Sequence, residues 1–180
     1  MKLKFCGLRT LESLKHACDL GADYAGFIFA DKSPRKVSQE FLEQLSSFNF
    51  QNTLPVCVFV NPSPSFVEQV MQHLPTAILQ FHGDESDSFC RQFNKPFWKS
   101  MPIKDASSLS LVLSGKYPSA QAILLETFSS NLSGGTGQSF DWTIIEDIDL
   151  SNKFILAGGI NEVNIDAAIS LNPWCIDINS

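Results

Sequence analysis

Positive charge is scarce in this chain of 180 residues: Lys and Arg number 13 against 19 Asp and Glu, for a net charge of −6 at neutral pH. The cations are scattered and form no basic run, which excludes a nucleic-acid or anionic-membrane surface. An anionic ligand must therefore be captured by local groups, because the overall field repels it. No charged leader followed by an apolar segment precedes Cys6, and no apolar run approaches the roughly 18 residues of a spanning helix. The sequence thus reads as cytoplasmic. Five cysteines, an odd number without framework spacing, suit a reducing compartment. Cys18, Cys57, Cys90 and Cys175 lie in apolar or helical contexts and are expected as small core residues. There is no CxxC, no HxxxH and no tight His/Cys cluster, so no metal is expected. His16 and His73 fall in helical segments as ordinary surface or packing residues. No Pro/Gly/Ser tract divides the chain, so residues 1–180 are expected to form one domain.

What is present is a repeat of short apolar strand and helix-patterned segment in a chain that is 44% hydrophobic. Strands are expected over 3–6, 24–29, 54–60, 76–81, 96–100, 121–125, 153–157 and 174–178. They are continuous apolar runs with little alternation, as strands of a parallel sheet with both faces buried should be. Thr10 can cap a helix through Leu20, with Gly21 ending it. Ser38 can cap a second helix, and Ser63-Pro64 opens a third. Asp84 or Ser86 opens a fourth to Phe93, Asp105 a fifth through Leu113, Asp141 a short sixth, and Asn161 a seventh ending near Leu171. Successive strands lie about twenty to thirty residues apart, the size of one βα unit. Eight strands in alternation favour a closed (β/α)₈ TIM barrel over an open sheet. Such barrels normally take about 200 residues or more. The sequence reaches Ser180 directly after the eighth strand, so the expected architecture is a barrel truncated there, lacking the final helix.

In such a barrel the active face is the C-terminal rim of the strands. Polar groups collect at that end. Cys6 follows strand 1, Asp31-Lys32-Ser33-Pro34-Arg35 follows strand 2, and Asn61 follows strand 3. His82 follows strand 4, Gly158-Gly159 strand 7, and Asp177, Asn179 and Ser180 stand at strand 8. The stretch from Leu124 to Trp142 organises the rest. A short strand reaches the carboxylate of Glu126 where it should end. A loop with glycine at 134, 135 and 137 follows, then a helix start at Asp141. Cys6 and Glu126 form the natural acid–base couple. A thiol can be tuned to act as a base, and a carboxyl partly buried in a rim can stay protonated enough to donate. Arg35, after a Lys-Ser-Pro turn, can grip a carboxylate with two parallel hydrogen bonds. Gly158-Gly159 offers a phosphate cradle of backbone N–H groups. His82 and Asp177 are further rim contacts. Gly134-Gly135-Thr136-Gly137 is neither a Walker loop nor a dinucleotide fingerprint, so NAD, ATP and FAD are not expected and the chemistry needs no cofactor.

Seven stretches, within a likeness that runs in order from residue 4 to residue 179, resemble the phosphoribosylanthranilate isomerases of tryptophan biosynthesis. They are Lys4-Phe5-Cys6-Gly7, Gly26-Phe27-Ile28-Phe29, Lys32-Ser33-Pro34-Arg35-Lys36-Val37, Val58-Phe59-Val60-Asn61, Leu79 to Glu85, Gly134 to Gly137 with Phe140-Asp141-Trp142, and Leu156 to Asn161. The resemblance implies a cofactor-free Amadori rearrangement of an aminoaldose to an aminoketose. Its small substrate, a phosphosugar joined to anthranilate, is anionic. Cys6 would be the general base and Glu126 the general acid. Arg35 would hold the anthranilate carboxylate, and Gly158, Gly159, Asn179 and Ser180 the phosphate. The family normally carries aspartate where this chain has Glu126, and often lysine where it has Gln138. It also continues past strand 8 with a helix that helps bind phosphate, so weaker phosphate binding is expected. A degenerate family member that only binds a phosphorylated ligand or a partner protein is the alternative reading. Both a monomer and a homodimer fit the sequence.

Overall fold

The computed structural model describes residues 1–127, 141–149 and 153–179. Eight parallel strands run β1 Lys2–Cys6, β2 Tyr24–Ile28, β3 Leu54–Phe59, β4 Ile78–Phe81, β5 Phe97–Ile103, β6 Ala122–Thr127, β7 Phe154–Leu156 and β8 Cys175–Ile178. Each pairs with the next, and β8 pairs back onto β1, so the sheet closes into a barrel in sequence order. The closing register sets Lys4 opposite Asp177. Among the described residues, six α-helices connect the strands: α1 Leu11–Asp19, α2 Gln39–Ser46, α3 Pro64–His73, α4 Asp87–Arg91, α5 Ala106–Leu113 and α6 Ile165–Ser170. The expected (β/α)₈ TIM barrel is therefore the fold, and no helix follows β8 among the described residues.

Strand alternation sorts the side chains into two populations. Outward residues meet the helices in one continuous apolar layer that includes Phe27, Phe29, Phe59, Phe81 and Leu79. The helix starts feed this layer by a repeated device. Ser38, Ser63 and Ser86 each accept a hydrogen bond from the backbone N–H of a phenylalanine three residues on: Phe41 at 3.1 Å, Phe66 at 3.3 Å and Phe89 at 3.2 Å. Each such cap contributes about 1 kcal/mol. The phenylalanine it fixes packs on a strand ring, Phe41 on Phe27, Phe66 on Phe59 and Phe89 on Phe81.

Inward residues grade from apolar floor to polar rim. Tyr24, Trp98 and Trp174 stack edge-on and tilted at the base, with Tyr24 and Trp98 ring centroids 4.8 Å apart. Val56, Ile78, Leu124, Ile155 and Cys175 join them. Towards the rim, Cys6 packs with Ile28 and Val58. The loops after β3 and β4 are locked together at Gly83, where a Cβ would come within 2.3 Å of Asn61 Oδ1. The buried Lys99 ammonium adds a second lock, donating to the carbonyls of Phe81, Gly83 and Ser100 and lying 3.4 Å from Glu85.

Several boundaries differ from the sequence reading. Ser86, rather than Asp84, caps α4, which stops at Arg91 instead of Phe93. Asp141 opens a 3₁₀ turn, Trp142–Ile145. Asn161 does not begin a helix: its side chain accepts from Val163 N–H in a turn, and α6 starts only at Ile165. Lys153 adopts φ +69° and so precedes β7. Strands β5 and β6 run further than expected, to Ile103 and Thr127, and both extensions matter for the rim. Cys18, Cys57, Cys90 and Cys175 are buried as anticipated, while His16 and His73 lie on α1 and α3.

Candidate active site

The inward, C-terminal ends of the strands bring Cys6, His82 and Glu126 to one rim, as their periodicity requires. Because β6 continues through Thr127, Glu126 is a strand residue, paired in register with Pro102 of β5, rather than the residue just past a strand end. That rigid placement sets its partners. Ser100 Oγ donates to Glu126 Oε1 at 2.5 Å, and His82 Nδ1 stands 3.3 Å from the same oxygen. Gln80, two residues before His82 and on the same inner face, contacts His82 Nε2 through its amide.

Burial by itself would push the Glu126 carboxyl up, but the charge and hydrogen bond of His82, the Ser100 hydroxyl and the Lys99 charge outweigh it. The carboxyl is therefore held below the usual glutamate range. This corrects the expectation of a carboxyl that stays protonated in the free protein. The resting group is a carboxylate, and it must acquire its proton before it can donate one.

Cys6 shows the opposite balance. Burial pushes its thiol above the ordinary range, Asp177 adds to the rise, and Lys4 and Arg35 act against it. The sulfur sits where the sheet leaves room for it: Gly26 is its register partner on β2, and a Cβ there would come within 2.7 Å of Sγ and 3.0 Å of the Cys6 Cα. Asp177 is not a rim contact, contrary to the sequence reading. It lies inside the barrel, buried, with Oδ2 2.7 Å from the fully buried Lys4 ammonium. From there it is within electrostatic reach of Cys6, His82 and Glu126.

Arg35 is half-buried beside Gly7, and its Nη1 donates to Asn179 Oδ1. Gly7 has φ +82°, and a Cβ there would crowd the Arg35 guanidinium at 3.1 Å. Asn179 thus braces Arg35, a role the sequence reading, which set it at the phosphate, did not foresee. Gly158 and Gly159 turn with φ +87° and +68°. Asn161 and Asn164 both donate to the Gly159 carbonyl at 2.9 Å, pinning that turn. Ser180, the glycine loop 134–137 and Gln138 lie outside the described residues. Ser100, Gln80 and Lys4 were missed altogether. Each had a signal: Lys4 and Gln80 lie two residues before Cys6 and His82 and share their faces, and Ser100 ends the expected fifth strand. An outer groove lined by Phe29, Lys36, Val37, Leu42 and Phe66 holds none of these groups. Among the described residues, no three His, Cys, Asp or Glu side chains converge as a metal site, and no helix is long and apolar enough to cross a membrane.

The family profile described as N-(5′-phosphoribosyl)anthranilate (PRA) isomerase matches residues 3–180. The chain belongs to that family. It is 43% identical to the N-(5′-phosphoribosyl)anthranilate isomerase of Legionella pneumophila strain Paris, over all of this chain and 86% of that protein. Among solved structures, the Thermotoga maritima phosphoribosyl anthranilate isomerase superposes with a TM-score of 0.87 at 28% identity, covering 99% of this chain and 87% of that one. A phosphoribosyl anthranilate isomerase complexed with reduced 1-(o-carboxyphenylamino)-1-deoxyribulose 5-phosphate superposes with a TM-score of 0.84 at 28% identity, over 100% and 87%. The isomerase family converts an aminoaldose into an aminoketose in tryptophan biosynthesis, an intramolecular redox shift.

Proposed function

We propose that this chain isomerises N-(5′-phosphoribosyl)anthranilate with Cys6 as general base and Glu126 as general acid. The observation that carries the assignment is the convergence of the two groups on one rim of a closed barrel, each with partners that set its ionisation. The acid protonates the furanose ring oxygen, the ring opens to a Schiff base, and the base removes the C2′ proton. The enolamine then takes a proton at C1′ and becomes the ketone. The two contacts to Glu126 both use Oε1, so Oε2 is the oxygen that faces the sugar. Glu126 takes up its proton from solvent before the ring opens, and His82, 3.3 Å from Oε1, orients the carboxyl.

The substrate is anionic at both ends and meets a protein of net charge −6, so capture falls to local groups. Arg35, braced by Asn179, holds the anthranilate carboxylate. The Gly158-Gly159 turn takes the phosphate, because positive φ and the missing Cβ let backbone N–H groups approach an anion. The Legionella identity and the complexed relative support this substrate. The five cysteines, all free and buried, suit the reducing cytoplasm. The Thermotoga relative is described as dimeric, which supports a homodimer; sedimentation velocity checks that assignment.

The test is the decay of substrate fluorescence with purified protein and freshly prepared phosphoribosylanthranilate. Acceleration well above spontaneous hydrolysis is expected, and Cys6→Ala should abolish it. Full turnover by Cys6→Ala would overturn the base assignment.

A further inference from the structure

We propose that Lys4 is the positioning residue of the base: its ammonium, clamped by Asp177 across the β1–β8 seam, stands beside the Cys6 sulfur and stabilises the thiolate that takes the sugar proton. The proposal rests on the reading of Cys6 as the base. Lys4 and Cys6 are two residues apart on β1 and so share the inner face. Both lean over Gly26: a Cβ on that glycine would lie 2.7 Å from the Cys6 sulfur and 3.1 Å from Lys4 Cε. The missing side chain at Gly26 is what lets the sulfur and the lysine stem occupy adjoining space. Across the seam Asp177 Oδ2 holds Lys4 Nζ at 2.7 Å, while Oδ1 has no hydrogen-bond partner among the described residues.

A merely structural reading of this pair is weak in energy terms. Removing two charges from water costs several kcal/mol per ion, and an apolar pair of the same volume often stabilises a core as well or better. A fully buried ammonium two residues below a catalytic thiol has a different use. It acts on Cys6 by charge and by hydrogen bonding, opposing the burial that favours the neutral thiol. Burial pulls Lys4 itself down, but Asp177 and Cys6 more than reverse this and keep it cationic. When the thiolate acts, an S–H bond forms as the C2′–H bond breaks. The freed electron pair enters the C1′–C2′ bond and neutralises the Schiff-base nitrogen.

Among the described residues, the charged groups acting on Cys6 are Lys4 on its own strand, Asp177 from β8 and Arg35 from the loop after β2, while β2 and β3 present Gly26, Ile28 and Val58 to it. Asp177 in turn faces Lys4, His82 and Glu126, with Cys175 beside it. Two substitutions therefore have opposite consequences. Lys4→Met removes the cation and leaves Asp177 acting alone, which disfavours the thiolate. Asp177→Asn leaves Lys4 unneutralised, which favours it.

The experiment is the pH dependence of Cys6 alkylation by iodoacetamide, with the Cys6→Ala protein subtracting the other four thiols. Lys4→Met should move the midpoint up by about one pH unit, and slow alkylation roughly tenfold below it. Asp177→Asn should move the midpoint down. The double variant Lys4→Met/Asp177→Asn, which removes both charges, keeps the test valid where the single lysine variant fails to fold, and it too should have an upward midpoint. In turnover, Lys4→Met should lower kcat with KM little changed. A shift of the same sign in Lys4→Met and Asp177→Asn, or an unmoved midpoint in the double variant, would overturn the proposal. Normal turnover by Cys6→Ala would instead remove the base assignment, and with it the catalytic meaning of Lys4, while leaving the alkylation shifts intact.

Discussion

Glu126 and His82 face each other across the β4–β6 side of the rim, carboxylate oxygen to ring nitrogen, at 3.3 Å. Ser100 closes on the same oxygen from β5, the strand between them. The carboxylate is thus oriented by a neighbour on β5 and another just past the end of β4, and its charge is stabilised before substrate arrives. A glutamate can serve this geometry because Ser100 and His82 meet its longer side chain where it ends.

Glu126→Gln keeps the shape and removes the proton. General acid catalysis contributes about 10²- to 10⁴-fold, and kcat/KM should fall by that order. The fluorescence assay measures it; a loss below tenfold would move the acid role to another group.

Ser100→Ala removes a donor to the ionised form, so the Glu126 carboxyl should rise toward its ordinary value. The sign for stability follows. A carboxylate depressed in the folded state stabilises above the unfolded value of about 4.3, and that stabilisation is lost as pH falls through the folded value. The thermal stability gap between wild type and Ser100→Ala should be widest near neutral pH and close on acidification below about pH 4. Melting curves across that range check it, and a gap independent of pH would point to lost packing alone.

Arg35→Ala should raise KM far more than it lowers kcat, because the grip on a distant carboxylate is made equally in ground and transition states. A charge-assisted hydrogen bond contributes about 1.5–3 kcal/mol, or roughly ten- to a hundredfold in KM. Arg35→Lys should restore only part of this, since an ammonium makes no bidentate pair.

Gly26→Ala tests the packing beneath Cys6. Its Cβ would meet the Cys6 Cα at 3.0 Å, a backbone atom that cannot rotate away. Overpacking of this kind costs about 1–3 kcal/mol, and the displaced sulfur should lose activity as well. Thermal unfolding and turnover together check it; a variant with native stability and native rate would show that β1 and β2 can separate freely.

The continuous apolar strands, the serine caps and the chemistry-bearing residues Cys6, Arg35, His82 and Glu126 were legible because each depends on local pattern. Period-two alternation sets which of them face inward, and Ser38, Ser63 and Ser86 act within one helical turn. Lys4 and Asp177 were not legible as a pair, for they are 173 residues apart and meet only because β8 closes on β1. Ser100 already ended the expected fifth strand, but its partner Glu126 lies on the next one, and only the β5–β6 register carries the hydroxyl to it.

The chain's order of residues alone determined the strand–helix alternation, the barrel it builds, and which side chains could do acid–base chemistry. Only the closed tertiary structure decided their ionisation. Alternation chooses a face for a side chain, but the charge state of that side chain is set by burial and by neighbours from other strands. Barrel closure put the Asp177 carboxylate on the Lys4 ammonium that flanks the Cys6 thiol, and strand register put His82 and Ser100 on the Glu126 carboxylate. Those fields act across space and leave no periodic trace in the sequence.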